Sequence, residues 1–320
     1  MKKFSKSYIL ILFIPLFIAV LNAQMDDPIL KSACNLIKEG KLDKAIKLLK
    51  KDLEYRPWNH DVRLYLGISY YLSNEKDLAR KEFGKIEKEI EKMTGDARSF
   101  GDARIFLSMG MERKDRGVFS PENRGLFNFS YGLILKEKGE FKEAEKKLKS
   151  ALKEGYNELQ TRFQLMDLIL KEKKFGKAYK ELKSILKLTS ENNEKILFIK
   201  GYILAKMKKM EDAVSCFEKI LTFNPDCIPA KKNLGIILYN KENYHQAINV
   251  WSEILDKNPN EKDVIVNIGR AYFQLGRKEK AQEFFNEIKI KIPVEKYSPK
   301  IIPLLPPELD KKIEFDLTCK

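Results

Sequence analysis

Histidine and tryptophan are scarce, two of each in 320 residues, and the four cysteines (Cys34, Cys216, Cys227 and Cys319) are widely scattered. With no CxxC pair and no compact His/Cys cluster, a structural metal is not expected. The motifs HExxH, G-x4-G-K-[ST], GxGxxG and G-x-S-x-G are all missing, which removes the usual footholds of zinc, phosphate-loop, dinucleotide and serine-hydrolase chemistry. His60 and His245 lack a carboxylate or cysteine companion at a useful spacing, and no histidine is placed to activate Cys34. The ordinary reading of Cys34 is a small packed side chain. Together these absences point away from an enzyme, a cofactor or a metal.

What is present begins with Lys2, Lys3 and Lys6, followed by an apolar run from Tyr8 to Leu21, broken only by Pro15, and then Asn22-Ala23. A cationic start, an apolar middle of about 7–15 residues and a small residue at the cut describe a secretory signal peptide. Residues 1–23 are therefore expected to be removed after Ala23, leaving an exported body with no stable membrane span. The alternative is an uncleaved N-terminal anchor, for which the run is short against the roughly 20 residues of a span. Cys34 stands too far behind the run for a lipid anchor, and the disulfide state of the four cysteines stays open. The formal charge is +15, but lysines alternate with glutamates, as in "KEAEKKLKSALKEG". That is the pattern of a solvated helix face rather than of a nucleic-acid partner.

The body repeats itself. "LGIILYNKENYHQAINVWSEILDKNP" (Leu234 to Pro259) aligns with "IGRAYFQLGRKEKAQEFFNEIKIKIP" (Ile268 to Pro293) and "KGYILAKMKKMEDAVSCFEKILTFNP" (Lys200 to Pro225). Ala213, Ala247 and Ala281 fall 34 residues apart, Ala178 and Ala144 continue the series at steps of 35 and 34, and Ala45 and Ala79 form a further pair 34 apart. Small residues at matched places in two helices let the backbones approach, Leu, Phe or Trp fills the space between neighbours, and Pro ends the unit.

Leu66-Gly67-Tyr70-Ala79-Phe83 and Ile268-Gly269-Tyr272-Ala281-Phe285-Pro293 resemble the tetratricopeptide repeat, a helix-turn-helix unit of about 34 residues. The resemblance implies an all-α, right-handed α-solenoid. Seven units are expected, over residues 26–59, 60–93, 125–158, 159–192, 194–227, 228–261 and 262–295. Departures occur where Met166 replaces the glycine, where Ser190 replaces the proline, and where Ser32-Ala33 replaces Leu-Gly in a capping first unit. Residues 94–124 interrupt the register as a helical insertion or decayed repeat, with "FSPENRG" reading as a turn. The Pro-rich tail 296–320 offers Ile301, Ile302, Leu304 and Leu305 to cap the last unit.

The resemblance also implies which side chains line a concave groove on the first helices: Phe129, Phe163 and Phe198 as an aromatic row, then Tyr202, Lys232, Ile236, Tyr239, Arg270 and Phe273. The row reads either as an interaction surface or as packing between neighbouring first helices. Lys232, Asn233, Asn267 and Arg270 are similar to the family's peptide-carboxylate clamp, although Phe198 and Tyr202 stand where a clamp needs Lys and Asn. The expected function is a non-enzymatic scaffold or adaptor of the cell envelope, taking extended segments of other exported proteins. The alternative is a cell-wall glycan-associated factor stacking Tyr202, Tyr239 and Phe273 on sugars, with an active site in residues 94–124 a distant third.

Overall fold

The computed structural model describes residues 27–99, 121–189 and 193–287. The leader, Ser190, Cys319 and the expected tail cap lie outside the described residues, as does most of the insertion. Fourteen α-helices and no strand occur among the described residues. They run in pairs: α1 (Pro28–Lys38) with α2 (Leu42–Tyr55), α3 (His60–Leu72) with α4 (Lys76–Ser99), α5 (Pro121–Glu137) with α6 (Phe141–Lys153), and α7 (Glu158–Lys171) with α8 (Phe175–Leu186). Three more follow: α9 (Glu194–Lys206) with α10 (Met210–Phe223), α11 (Ile228–Asn240) with α12 (Tyr244–Lys257), and α13 (Lys262–Gln274) with α14 (Lys278–Glu287). Among the described residues the chain divides into two compact units, the first ending at Leu168 and the second beginning at Ile169.

Each pair turns in the same way. Gly40, Asn74, Gly139, Lys173, Lys208, Glu242 and Gly276 all have left-handed backbones, with φ between 58° and 81°. The next residue's N–H then reaches back five residues, as Lys41 to the Leu36 carbonyl and Asn243 to the Leu238 carbonyl, at 2.8 and 2.9 Å. This closure satisfies the last carbonyls of the first helix and fixes where the second one starts. Four of the seven turns hold a side-chain residue where glycine would be free of strain.

Stacking within a pair rests on a fixed offset. Gly67, Gly201, Gly235 and Gly269 face Phe83, Phe217, Trp251 and Phe285, each sixteen positions on; a Cβ added at the glycine would come within 2.2–2.9 Å of the ring. Gly132 meets Leu148 in the same way. The seven repeat alanines of the second helices, from Ala45 to Ala281, are fully buried. The first helices are therefore enclosed: ten of the thirteen residues of α3 and eight of the thirteen of α9 are buried. A helix apolar on every side belongs in an interior.

One expectation is corrected at the insertion. "FSPENRG" was expected to be a turn, but Pro121 opens α5 and Asn123, Arg124 and Gly125 are helical. Proline suits a first helical position, where its missing N–H is not needed. Gly125 then lets α5 pass Tyr156, whose Cβ would lie 2.7 Å from an added Cβ.

Candidate functional site

In the first unit, Phe129 is 1% and Phe163 2% exposed. Phe129 packs on Tyr156 with ring centroids 5.0 Å apart; Tyr156 occupies the turn after α6. In the second unit, Phe198 is 4% exposed and meets Phe217 edge-on at 5.2 Å. The expectation of an exposed aromatic row is therefore corrected: these rings are buried stacking residues.

Burial removes three more expected groove residues from the surface: Ile236 at 1%, Tyr239 at 1% and Asn267 at 8% exposed. Tyr239 sits between the Tyr244 and Trp251 rings, at 5.2 and 6.2 Å. Burial and the neighbouring Tyr244 push its hydroxyl pKa up, against a smaller opposing pull from Arg270. A ring so enclosed offers no face to a sugar, which removes one of the three contacts expected of a glycan-associated factor.

Lys232 is half-buried, and its ammonium lies 2.7 Å from Glu261 and 3.0 Å from Asp263. Burial works against the charge, but the two carboxylates outweigh it and hold the pKa above the usual lysine value. Asn233 is buried and donates its side-chain N–H to the Pro229 carbonyl at 2.9 Å. A partner carboxylate at Lys232 would have to displace two acids, so the clamp chemistry suggested by Lys232 and Asn233 is already spent within the fold.

Three expected residues remain half-buried rather than enclosed: Tyr202, Arg270 and Phe273. The register puts Tyr202, Ile236 and Arg270 at equivalent places on α9, α11 and α13, with Phe273 one turn beyond Arg270. The Tyr202 ring meets Phe175 at 6.3 Å and carries the Lys206 ammonium 5.2 Å from its centre.

The repeat geometry agrees with the comparisons. The tetratricopeptide-repeat family models match residues 36–92, 194–227 and 238–297. The chain is a tetratricopeptide-repeat protein. It is 24% identical over 258 residues to a TPR repeat-containing protein of Methanocaldococcus jannaschii, covering 74% of this chain and 43% of that one. It is 23% identical over 240 residues to a BBSome complex member BBS4 homolog of Drosophila melanogaster, covering 74% and 45%. The chain thus spans less than half the length of these curated relatives. Among solved structures, YrrB, titled a TPR protein with an unusual peptide-binding site, superposes with a TM-score of 0.49 at 18% identity, covering 68% of this chain and 95% of that one. MamA of Desulfovibrio magneticus RS-1 superposes at 0.47 and 19% identity, covering 52% and 93%.

In this tetratricopeptide-repeat protein Cys34, Cys216, Cys227 and His60 all lie in the interior. Burial pushes the Cys34 thiol up to about 12 and raises Cys216 and Cys227 as well. Protonated, enclosed thiols are poor nucleophiles. His60 is buried, which lowers its pKa with help from Arg63. Among the described residues no group of three His, Cys, Asp or Glu is placed to hold a metal ion. No described helix is long and apolar enough to cross a membrane.

Two features escaped the sequence reading. Lys136 bridges α5 to α7, reaching Asp167 at 2.9 Å and also the Gln164 side chain. Its signal is the repeat offset, since the partners lie 28 and 31 residues ahead. The other is a run with seven lysines against two glutamates from Lys171 to Lys187.

Proposed function

We propose that this protein is a non-enzymatic scaffold of the cell envelope that holds an extended segment of another exported protein on the first-helix face of its last three repeats. One observation carries the reading. On that face Tyr202, Arg270 and Phe273 stay partly open, while Ile236, Tyr239 and Asn267 between and beside them are locked in the interior. A rigid, preformed surface with an aromatic ring and a guanidinium is suited to anchoring a peptide, since Arg and aromatic side chains dominate binding energy at interfaces. The family supports it, because stacked repeats present extended binding surfaces. The envelope setting rests on the leader-like first 23 residues.

An array of overlapping segments from exported proteins, probed with the purified chain and with the Arg270→Ala/Phe273→Ala variant, tests this reading. Spots bound by the parent and lost with the variant, at unchanged helical circular dichroism, support it. Binding that ignores the double substitution would remove this face from the function.

A further inference from the structure

The turns that join first to second helices form a series of equivalent places, and their charges are arranged differently in the two units. In the first unit the cations at these turns are neutralised across repeats: Lys76 by Glu137 at 2.6 Å, Arg80 by Glu140 at 2.8 Å, and Lys138 by Asp77. In the second unit Lys173, Lys206, Lys208 and Lys209 enter no ion pair with a described residue, and only Lys174 has one, with Glu172 of its own turn at 2.9 Å. Of the nearby acids, Glu211 is engaged by Lys241 at 3.1 Å. Burial, with a smaller push from the nearby Lys173, lowers the pKa of Lys206.

Two of these lysines, Lys206 and Lys209, lie against tyrosine rings. Lys183 and Lys209, from adjacent repeats, sit 5.1 and 5.9 Å from the centre of Tyr179, and Lys206 sits 5.2 Å from that of Tyr202. Cation–π contacts of this kind fix ammonium positions without neutralising them. The result is a cluster of ammonium groups, exposed at Lys173, Lys174, Lys208 and Lys209 and half-buried at Lys206, with a single carboxylate among the described residues, Glu172 on Lys174, to answer them.

We propose that the turn edge formed by Lys173, Lys174, Lys206, Lys208 and Lys209 is a docking surface for a carboxylate-rich segment of a partner protein. The chemistry selects this occupant over two other polyanions. Tyr179 and Tyr202 are half-buried and each carries an ammonium group near its ring, so base stacking of the kind single-stranded nucleic acid uses would have to displace a lysine. The exposed large hydrophobic side chains among the described residues are Tyr55, Trp58, Leu78, Leu188 and Phe223, none of them in these turns, so the edge has no side chain to insert into a bilayer. Carboxylates on a flexible chain need neither, and complementary charge steers their approach. The surface does not depend on the reading of Arg270 and Phe273.

The test uses the full chain and a fluorescent peptide alternating glutamate with glycine, with a glutamine counterpart as control, by anisotropy at about 50 mM salt, where charges act over more than 10 Å. The glutamate peptide is expected to bind and the glutamine peptide not. Changing Lys173, Lys174, Lys206, Lys208 and Lys209 together to glutamine should weaken binding at least tenfold with unchanged circular dichroism. Lys76→Gln/Arg80→Gln/Lys138→Gln in the first unit should leave binding within twofold, and so should Arg270→Ala/Phe273→Ala. Equal loss in the first-unit variant would overturn the proposal by showing net charge alone to be responsible. Binding of anionic vesicles or of single-stranded DNA in preference to the peptide would overturn it in favour of those partners, and salt-sensitive self-association would reassign the edge to a second copy.

Discussion

Gly235→Ala tests the stacking rule where it is tightest. The added Cβ would lie 2.2 Å from Nε1, 2.4 Å from Cε2 and 2.7 Å from Cδ1 of Trp251, a ring with 0% exposure. Its indole N–H also donates to the Lys232 carbonyl at 3.3 Å. Alanine should gain about 1 kcal/mol from helix propensity. Against that, overpacking costs about 1–3 kcal/mol and a displaced indole hydrogen bond about 1 kcal/mol. A net loss of about 1–3 kcal/mol is therefore expected from these opposing effects. Gly84→Ala and Gly176→Ala are the controls: a Cβ at either meets nothing within 4 Å, so each should stabilise by about 0.5–1 kcal/mol. Urea unfolding followed by circular dichroism measures all three, and fluorescence adds a local probe because the other tryptophan, Trp58, is 57% exposed. Repeating Gly235→Ala in a Trp251→Leu background should abolish most of its penalty, a coupling that a double-mutant cycle isolates. An unchanged penalty in that background, or a stabilising Gly235→Ala, would refute the glycine-ring account.

Three further outcomes are expected. Glu242→Gly, at a turn with φ of 65°, should raise stability by about 1 kcal/mol, read as a higher urea midpoint at constant slope. Burial and Arg63 lower the His60 pKa below its ordinary 6.5 despite an opposing pull from Glu89. The folded chain therefore binds fewer protons at this site, and its contribution is complete above 6.5 and lost as pH falls through the lower folded value. Melting temperature measured down through pH 6 should drop less steeply in His60→Gln than in the parent. Finally, N-terminal sequencing of the exported protein should begin at Gln24; a product of precursor length in the membrane fraction would show that the leader stays as an anchor.

The register was legible because it is written in residues with one physical job. Alanine at 34-residue steps, and glycine sixteen positions before a large side chain, can hardly mean anything but close helix approach. The accessible face was harder to read. Phe129, Phe163 and Phe198 were assigned to a surface from their place in the repeat, yet "KILFIKGYILA" around Phe198 is apolar on every side of a helix, which is the mark of burial rather than of a groove. Tyr156 could not be foreseen as the partner of Phe129, since it occupies a turn where other units carry proline. The pairing of Lys232 with Glu261 and Asp263 was within reach, because 29 and 31 residues, a little less than one repeat, separate them. Charge alternation along single helices concealed the lysine edge, whose members come from successive turns 35 residues apart.

These placements separate what holds the array together from what it offers to others. Stability in a stacked-repeat protein comes mainly from each repeat and its neighbours, and here it resides in glycine-ring contacts, buried alanines and ion pairs across repeats. Lys173, Lys208 and Lys209 take no part in these: they are exposed and enter no ion pair among the described residues. Removing an unneutralised surface lysine relieves like-charge repulsion and empties no cavity, so substitutions there should leave unfolding unchanged or slightly later. A change at Gly235 or Trp251 should instead weaken every binding property in proportion to the fraction unfolded. The two classes of variant therefore give opposite signatures: loss of binding at full stability for the lysine edge, and joint loss of both for the stacking seam. A lysine-edge variant that lost stability along with binding would show that the charges are part of the fold after all.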